Sequence, residues 1–249
     1  MESSTIRRRE AGPVRARRRA PASPARPGSL GVWLVGILAL TFLVYIPSLG
    51  NQFTNWDDAK YVTENLVLAH PTFHNVVIEP LQGNYHPLTV LSLVLNYKLS
   101  QLHPASYHVL NLLLHLANTA LVFLFVWMLA GGLWAPVVTS LFFGIHPMHV
   151  ESVAWIAERK DVLFAFFYLA GLVTYLKYLD SRRLGWLLAT LGACVLSLAS
   201  KPAAVTFPAA LLLVDFYRRR RIDTAALLEK APFVALAIVA GILTLHAQK

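Results

Sequence analysis

The sequence predicts an all-α polytopic membrane protein: a transmembrane helical bundle with about seven spans and a long first external loop. Three observations carry that expectation. Of 249 residues, 56% are hydrophobic and only 14% charged, with a mean hydropathy of +0.54. Soluble domains are about 45–50% apolar and about 25% charged. Apolar stretches approaching the roughly 20 residues needed to cross a bilayer core recur along the chain. Basic residues collect on alternate sides of those stretches, as the preference of Lys and Arg for cytoplasmic loops requires.

Taken in order, residues 1–29 come first, with RRR at 7–9, RARRR at 15–19 and Arg26 set among Pro, Ala and Ser. That composition buries no core and predicts a disordered, basic cytoplasmic tail, suited to anionic headgroups or to fixing orientation. The basic region is too long for a signal peptide, and no small-residue cleavage site follows the apolar segment. A first span is expected at 30–49. Residues 51–105 are polar or amphipathic, and Pro71, Pro80, Pro87 and Pro104 interrupt any long helix there. Within them, LTVLSLVLNYKLSQL (88–102) is broken by Asn96, Lys98 and Gln101. It is expected as a helix lying along the membrane surface. Further spans are expected at 107–130, 133–146, 162–179, 184–199, 203–217 and 231–247.

With the N-terminus in the cytoplasm, this arrangement places sixteen of the 22 Lys and Arg residues in cytoplasmic segments. The net charge of +9 therefore sits in the tail and inner loops, and no nucleic-acid partner is expected. The single cysteine, Cys194, lies in an apolar run and reads as a small core residue.

The same topology gathers the chemically unusual residues on the external face. Seven of 13 acidic residues fall there, threaded with histidines and tryptophans. The stretch NWDDAKY (55–61) places Asp57 and Asp58 side by side, between Trp56 and Tyr61. Adjacent carboxylates disfavour each other's ionisation, which makes one a better proton acceptor. The alternative is a pair of solvated loop acids. Arg159 and Lys160 stand at the end of a membrane segment, where a charge buried in lipid costs about 2.5–3.5 kcal/mol. They face water, protein or an anion such as phosphate, or pair locally with Glu158 and Asp161. Lys201 is a third candidate phosphate ligand, or a snorkelling lysine.

If 150–162 is one helix, Glu151 and Glu158 share a face with Trp155 between them, placed to hold a sugar or orient Arg159. His146 and His149 in HPMH lack a third ligand at zinc spacing, so hydrogen bonding to phosphate or sugar is the better reading, and His86 shares it. Finally, His108, Asn111, His115 and Asn118 draw a polar stripe along an apolar span. Such a stripe either glues helices together or lines a cavity.

Five stretches resemble one family: NWDDAKYVTEN (55–65), NYHPLT (84–89), YHVLNLLLHLANT (107–119), HPMHVESVAWIAERKDVL (146–163) and SKPAAVTFP (200–208). They look like the transmembrane and TPR-repeat-containing protein O-mannosyltransferases and their bacterial relatives, which have the GT-C fold. The likeness covers about residues 30–217. It implies a GT-C-like transmembrane domain at 30–249 with its first external loop at 50–106. The family's later spans and TPR repeats are absent from this sequence, so a C-terminal truncation is expected.

What the resemblance implies is an inverting transfer of mannose or another hexose from a polyprenyl or dolichyl phosphate donor to a protein Ser/Thr hydroxyl. Asp57 would be the general base, with Asp58 assisting it, orienting the acceptor or binding a cation. Arg159, Lys160 and Lys201 would hold the donor phosphate. His86, His146, His149, Glu151, Glu158 and Asp161 would support the substrates. No metal or cofactor is expected to be required, although a divalent cation stays open at the acidic pair. The expected setting is a membrane, the bacterial inner membrane on composition, with the active site on the periplasmic or lumenal face. The rival classes are a polytopic transporter, which should show paired repeats, and a non-catalytic membrane scaffold.

Overall fold

A computed structural model describes residues 27–248. Almost all of the expected basic tail at 1–29 lies outside the described residues; only 27–29 fall within them, where they open the first helix.

Among the described residues eleven α-helices follow one another: α1 (Pro27–Tyr45), α2 (Leu66–Ala69), α3 (Pro87–Ser100), α4 (Pro104–Ala130), α5 (Trp134–Ile145), α6 (Val150–Ala154), α7 (Arg159–Ser181), α8 (Leu184–Ser200), α9 (Phe207–Tyr217), α10 (Thr224–Leu228) and α11 (Ala231–Ala247). The described residues hold no strand. Each of the seven expected spans corresponds to a helix. Four helical stretches, Leu30–Gly50, Pro104–Ala130, Ile156–Ser181 and Thr224–Ala247, are long and apolar enough to cross a bilayer. The other three, Trp134–Ile145, Leu184–Ser200 and Pro202–Tyr217, are shorter. At about 1.5 Å of rise per residue, α5 with its 12 residues falls well short of a bilayer core of about 30 Å. The chain is an integral membrane protein of the all-α class.

Proline sets several of the boundaries. Pro87 and Pro104 stand in the first turns of α3 and α4, where the missing N–H has no intrahelical partner to lose. Between α1 and α3 the chain makes single helical turns at Ala59–Thr63 and His74–Ile78. It then reverses at Leu81–Asn84, where Gln82 and Gly83 both have positive φ (52° and 71°). That is the signature of a tight type I′ turn. Helix α3 buries Thr89, Val90, Leu93, Val94 and Asn96 against the protein and leaves Leu91, Leu95 and Leu99 exposed. A bond from Thr89 Oγ1 to the Ser200 carbonyl (2.9 Å) ties its start to the end of α8.

The bundle centres on α7, which packs against α4 on one side and α8 on the other. Tyr175, Leu176, Cys194, Leu198, Phe207, Leu211 and Phe233 make its largest core cluster, with Cys194 in the expected role of small core residue. Gly171 lets this core close. A Cβ there would stand 2.7 Å from Cζ of the buried Phe207 ring. Gly171→Ala is therefore expected to destabilise the protein by about 1–3 kcal/mol through overpacking. A lower thermal midpoint in detergent reads this out.

In the polar stripe of α4, Asn111, His115 and Asn118 act as helix glue, whereas His108 is buried with neither ring nitrogen partnered. Asn111 Nδ2 donates to the Trp155 carbonyl (3.1 Å) and Asn118 Nδ2 to that of Val162 (2.9 Å). His115 Nε2 meets the Gly144 carbonyl at 2.9 Å, in the last turn of α5 where carbonyls lack helical partners. His115 and Asn118 also border a cavity, so the stripe serves both expected purposes.

Charged groups segregate to the two ends of α7. Near its C-terminus, buried Asp215 accepts from Tyr175 Oη (2.7 Å) and pairs with Lys230. Glu229 takes a two-pronged contact from Arg220 (2.7 and 2.8 Å) and a bond from Tyr178 Oη (2.8 Å). The contact with Glu229 raises the already high pKa of Arg220 further. Near the N-terminus of α7 lies the second cluster, which contains most of the predicted site residues.

Candidate active site

The two aspartates occupy different environments although they are neighbours. Asp58 is 1% exposed, and both of its oxygens are engaged. Oδ2 accepts from the Thr54 amide (2.9 Å) and hydroxyl (3.1 Å), while Oδ1 accepts from the Ala157 amide (2.8 Å). A carboxylate held by backbone N–H groups is a strong, charge-assisted clamp. Here it fastens the first external loop to the turn before α7. Asp57 takes no part in that clamp and stays half-buried. The resemblance implied a catalytic part for both residues; the geometry gives Asp58 an anchoring position and leaves Asp57 free.

Asp57 lies within electrostatic reach of Tyr61. Burial first, and then the Asp57 charge, push the Tyr61 phenol up to about 12. Two groups pack on the Tyr61 ring: His86 stacks on it (centroids 5.5 Å apart, planes 11° apart), and Lys160 Nζ lies 5.0 Å from its centroid. His86 is 2% exposed and neither ring nitrogen has a partner. Burial, reinforced by the positive charges of Lys160 and Lys201, pushes its pKa down to about 4, so it is neutral at physiological pH. Lys160 pairs with Glu158 at 2.8 Å, whereas Lys201 pairs closely with Asp161 and reaches Glu158 at 3.9 Å. Two ammonium groups, one neutral imidazole and one unclamped carboxylate thus form one cluster: Lys160 and His86 contact Tyr61, Lys201 joins through the shared Glu158, and Asp57 acts on Tyr61 through its charge. The first three can meet a phosphate, and the last can take a proton.

Over 207 residues the chain is 32% identical to protein O-mannosyl-transferase TMTC2 of Mus musculus, and equally to that of Homo sapiens. The match covers 76% of this chain and 24% of each relative. Protein O-mannosyl-transferase Tmtc1 of Drosophila melanogaster is 31% identical over 184 residues, 70% of this chain and 21% of that protein. Protein O-mannosyl-transferase TMTC3 of Homo sapiens is 42% identical over 92 residues, 37% of this chain and 10% of that protein. The chain belongs to the TMTC family. It spans at most about a quarter of the length of these curated relatives. No family model matches the chain, nor does any solved structure.

Three of the residues that the TMTC resemblance marks out sit elsewhere than expected. Arg159 is 0% exposed, and its guanidinium points into the protein rather than towards Lys160. Its Nη2 donates to Asn96 Oδ1 (3.1 Å) and to the Tyr107 carbonyl (2.9 Å), and its Nε to Asn111 Oδ1. This ties α3, α4 and α7 together and withdraws Arg159 from any phosphate arriving at the lysines. Glu151 does not share a face with Glu158. The chain is not one helix over 150–162: Trp155 is extended (φ −107°, ψ 125°), a short helical turn follows at Ile156–Glu158, and α7 starts at Arg159. The break exposes Glu151 while burying Glu158. His146 is exposed as well, and its Nδ1 accepts from the Met148 amide (3.2 Å), a local helix-capping contact.

His149 and Asp161 stay with the site. Burial pushes the pKa of His149 down. Asp161 accepts from Ser152 Oγ (3.2 Å) as well as from Lys201. No group of three His, Cys, Asp or Glu side chains among the described residues is placed to hold one metal ion. The TMTC-type motifs gave no direct sign of Thr54, Asn96 or the Ala157 amide, which position the site from below. Their only signal was a polar Asn96 within an apolar helix.

Proposed function

We propose that this chain is the membrane-embedded catalytic portion of a glycosyltransferase. It moves a hexose, mannose on family grounds, from a polyprenyl or dolichyl phosphate to a protein Ser or Thr hydroxyl with inversion. The observation that carries the reading is one cluster: His86 and Lys160 on Tyr61, Asp57 within charge range of it, and Lys201 joined to Lys160 through Glu158, with the adjacent Asp58 clamped to the Ala157 amide. Asp57 takes the proton from the acceptor hydroxyl. The freed oxygen bonds to the anomeric carbon, the carbon–oxygen bond to the lipid phosphate breaks, and the electron pair leaves on that phosphate. Lys160 and Lys201 stabilise the charge that develops there. None of these steps calls for a cofactor or a metal. The reading goes with seven spans, a cytoplasmic N-terminus and an active site on the periplasmic face of a bacterial inner membrane, the side away from the Arg218–Arg221 run.

The test is donor binding by the full chain in liposomes, using polyprenyl phosphate mannose. Wild type should bind, and Lys160→Ala and Lys201→Ala should each weaken binding about tenfold, the scale of one charge-assisted hydrogen bond. A wild-type chain that ignores the donor, or lysine variants that bind it unchanged, would rule the reading out.

A further inference from the structure

Beside the lysine cluster lies a cavity of about 300 Å³, bordered by His115, Asn118, Phe143, His149, Ser152 and Lys201. That volume is at the lower end of small-molecule sites, which run from about 300 to 1,000 Å³. Lys201 apart, none of these residues takes part in the proposed proton transfer or phosphate binding.

One of its walls carries an unmet demand. Asn118 is 1% exposed, and its Nδ2 donates to the Val162 carbonyl at 2.9 Å. An acceptor at that position requires the amide nitrogen to face Val162, so Oδ1 must face the other way. That oxygen is buried and has no partner. In a membrane-embedded bundle a buried carbonyl without a partner is unfavourable. Asn118 lines the cavity, which makes a ligand hydroxyl there a candidate donor for this oxygen.

The remaining walls narrow the class of that donor. Phe143 and His149 bring their rings to 4.5 Å, and His115 stacks near Phe143 at 5.6 Å. The flat ring faces suit the apolar C–H side of a pyranose. Ser152 and Asp161, also on the lining and bonded to each other at 3.2 Å, present oxygen acceptors for hydroxyls. Lys201 borders the cavity and also contacts Glu158, the partner of Lys160. A ligand with phosphate at one end and a ring of hydroxyls at the other would span the two.

We infer that this cavity receives the glycosyl group of the donor, with Asn118 Oδ1 accepting one of its hydroxyls. The inference rests on the lipid-phosphate reading and makes Asn118 a determinant of sugar recognition. Phosphate attraction is supplied by the lysines, so the cavity should matter only when a sugar is attached.

Two probes separate these terms in the liposome-embedded full chain: bare polyprenyl phosphate and polyprenyl phosphate mannose. Wild type should prefer the mannose-bearing lipid. Asn118→Ala should lower affinity for that lipid about tenfold, equivalent to about 1.4 kcal/mol, and leave the bare lipid unchanged. Ala165→Leu, which adds bulk at another wall of the same cavity, should do likewise and decides the matter if Asn118→Ala does not fold. Free mannose competing only with the sugar-bearing lipid would show the hydroxyls themselves are recognised. Equal weakening for both lipids, or no weakening for either, overturns the inference while the donor reading stands. A wild type that binds neither lipid removes the donor reading and the inference with it.

Discussion

Asp57→Asn is expected to lower sugar transfer by about 10²–10⁴-fold, the usual contribution of a positioned general base. Donor affinity and thermal stability should change little. The substitution keeps shape and volume and deletes only the lone pair that takes the acceptor's proton. Its neighbour provides the control. Asp58 receives N–H groups from opposite sides, Thr54 to one oxygen and Ala157 to the other. In Asp58→Asn, whichever way the amide turns, its NH₂ faces one of those donors, so the clamp is lost and stability falls instead. Initial rates and thermal midpoints measured on both variants separate the two roles. An Asp57→Asn enzyme that transfers sugar within about tenfold of wild type would remove Asp57 from the chemistry.

The largest stability effect is expected at Asn111, a residue with no part in the reaction. Asn111 Oδ1 accepts from Arg159 Nε, and its Nδ2 donates to the Trp155 carbonyl. Asn111→Leu leaves part of a wholly buried guanidinium and one backbone carbonyl unpaired. Together these cost about 3–5 kcal/mol. A drop in thermal midpoint on the order of 10 °C should follow. The companion variant Arg159→Met removes the buried charge together with its need for partners. The double variant Asn111→Leu/Arg159→Met should therefore be more stable than Asn111→Leu alone. Simple addition of the two losses would show that Arg159 and Asn111 act independently, against the contact geometry.

Much of the helical layout was legible because apolar runs and prolines are local signals. Pro87 and Pro104 interrupt the segment as expected, each by opening a new helix, and the apolar stretches became helices within a few residues. The break at Trp155 was not legible, for a physical reason. The backbone groups on either side of it are bonded by side chains far away in sequence: the Trp155 carbonyl by Asn111, the Ala157 amide by Asp58. With those groups paired, a continuous helix offers nothing further, and Glu151 and Glu158 separate.

The burial of Arg159 was hidden likewise. Asn96 reads as a polar interruption of an apolar stretch, yet its Oδ1 receives the guanidinium from another helix. The site fared unevenly for the same reason. Asp57, Lys160, Lys201 and His86 were identifiable as types, and they fall in one cluster about Tyr61 and Glu158. Which of two adjacent aspartates is clamped depends on a backbone amide that no motif reveals.

The clamp at Asp58 also limits how this protein can admit a substrate. Because the loop bearing Asp57 is pinned to the start of a central helix, it cannot lift away as a flap without stranding a carboxylate and two amides. The carboxylate of Asp57 is therefore offered to an arriving molecule at a place fixed by the helix rather than by the loop.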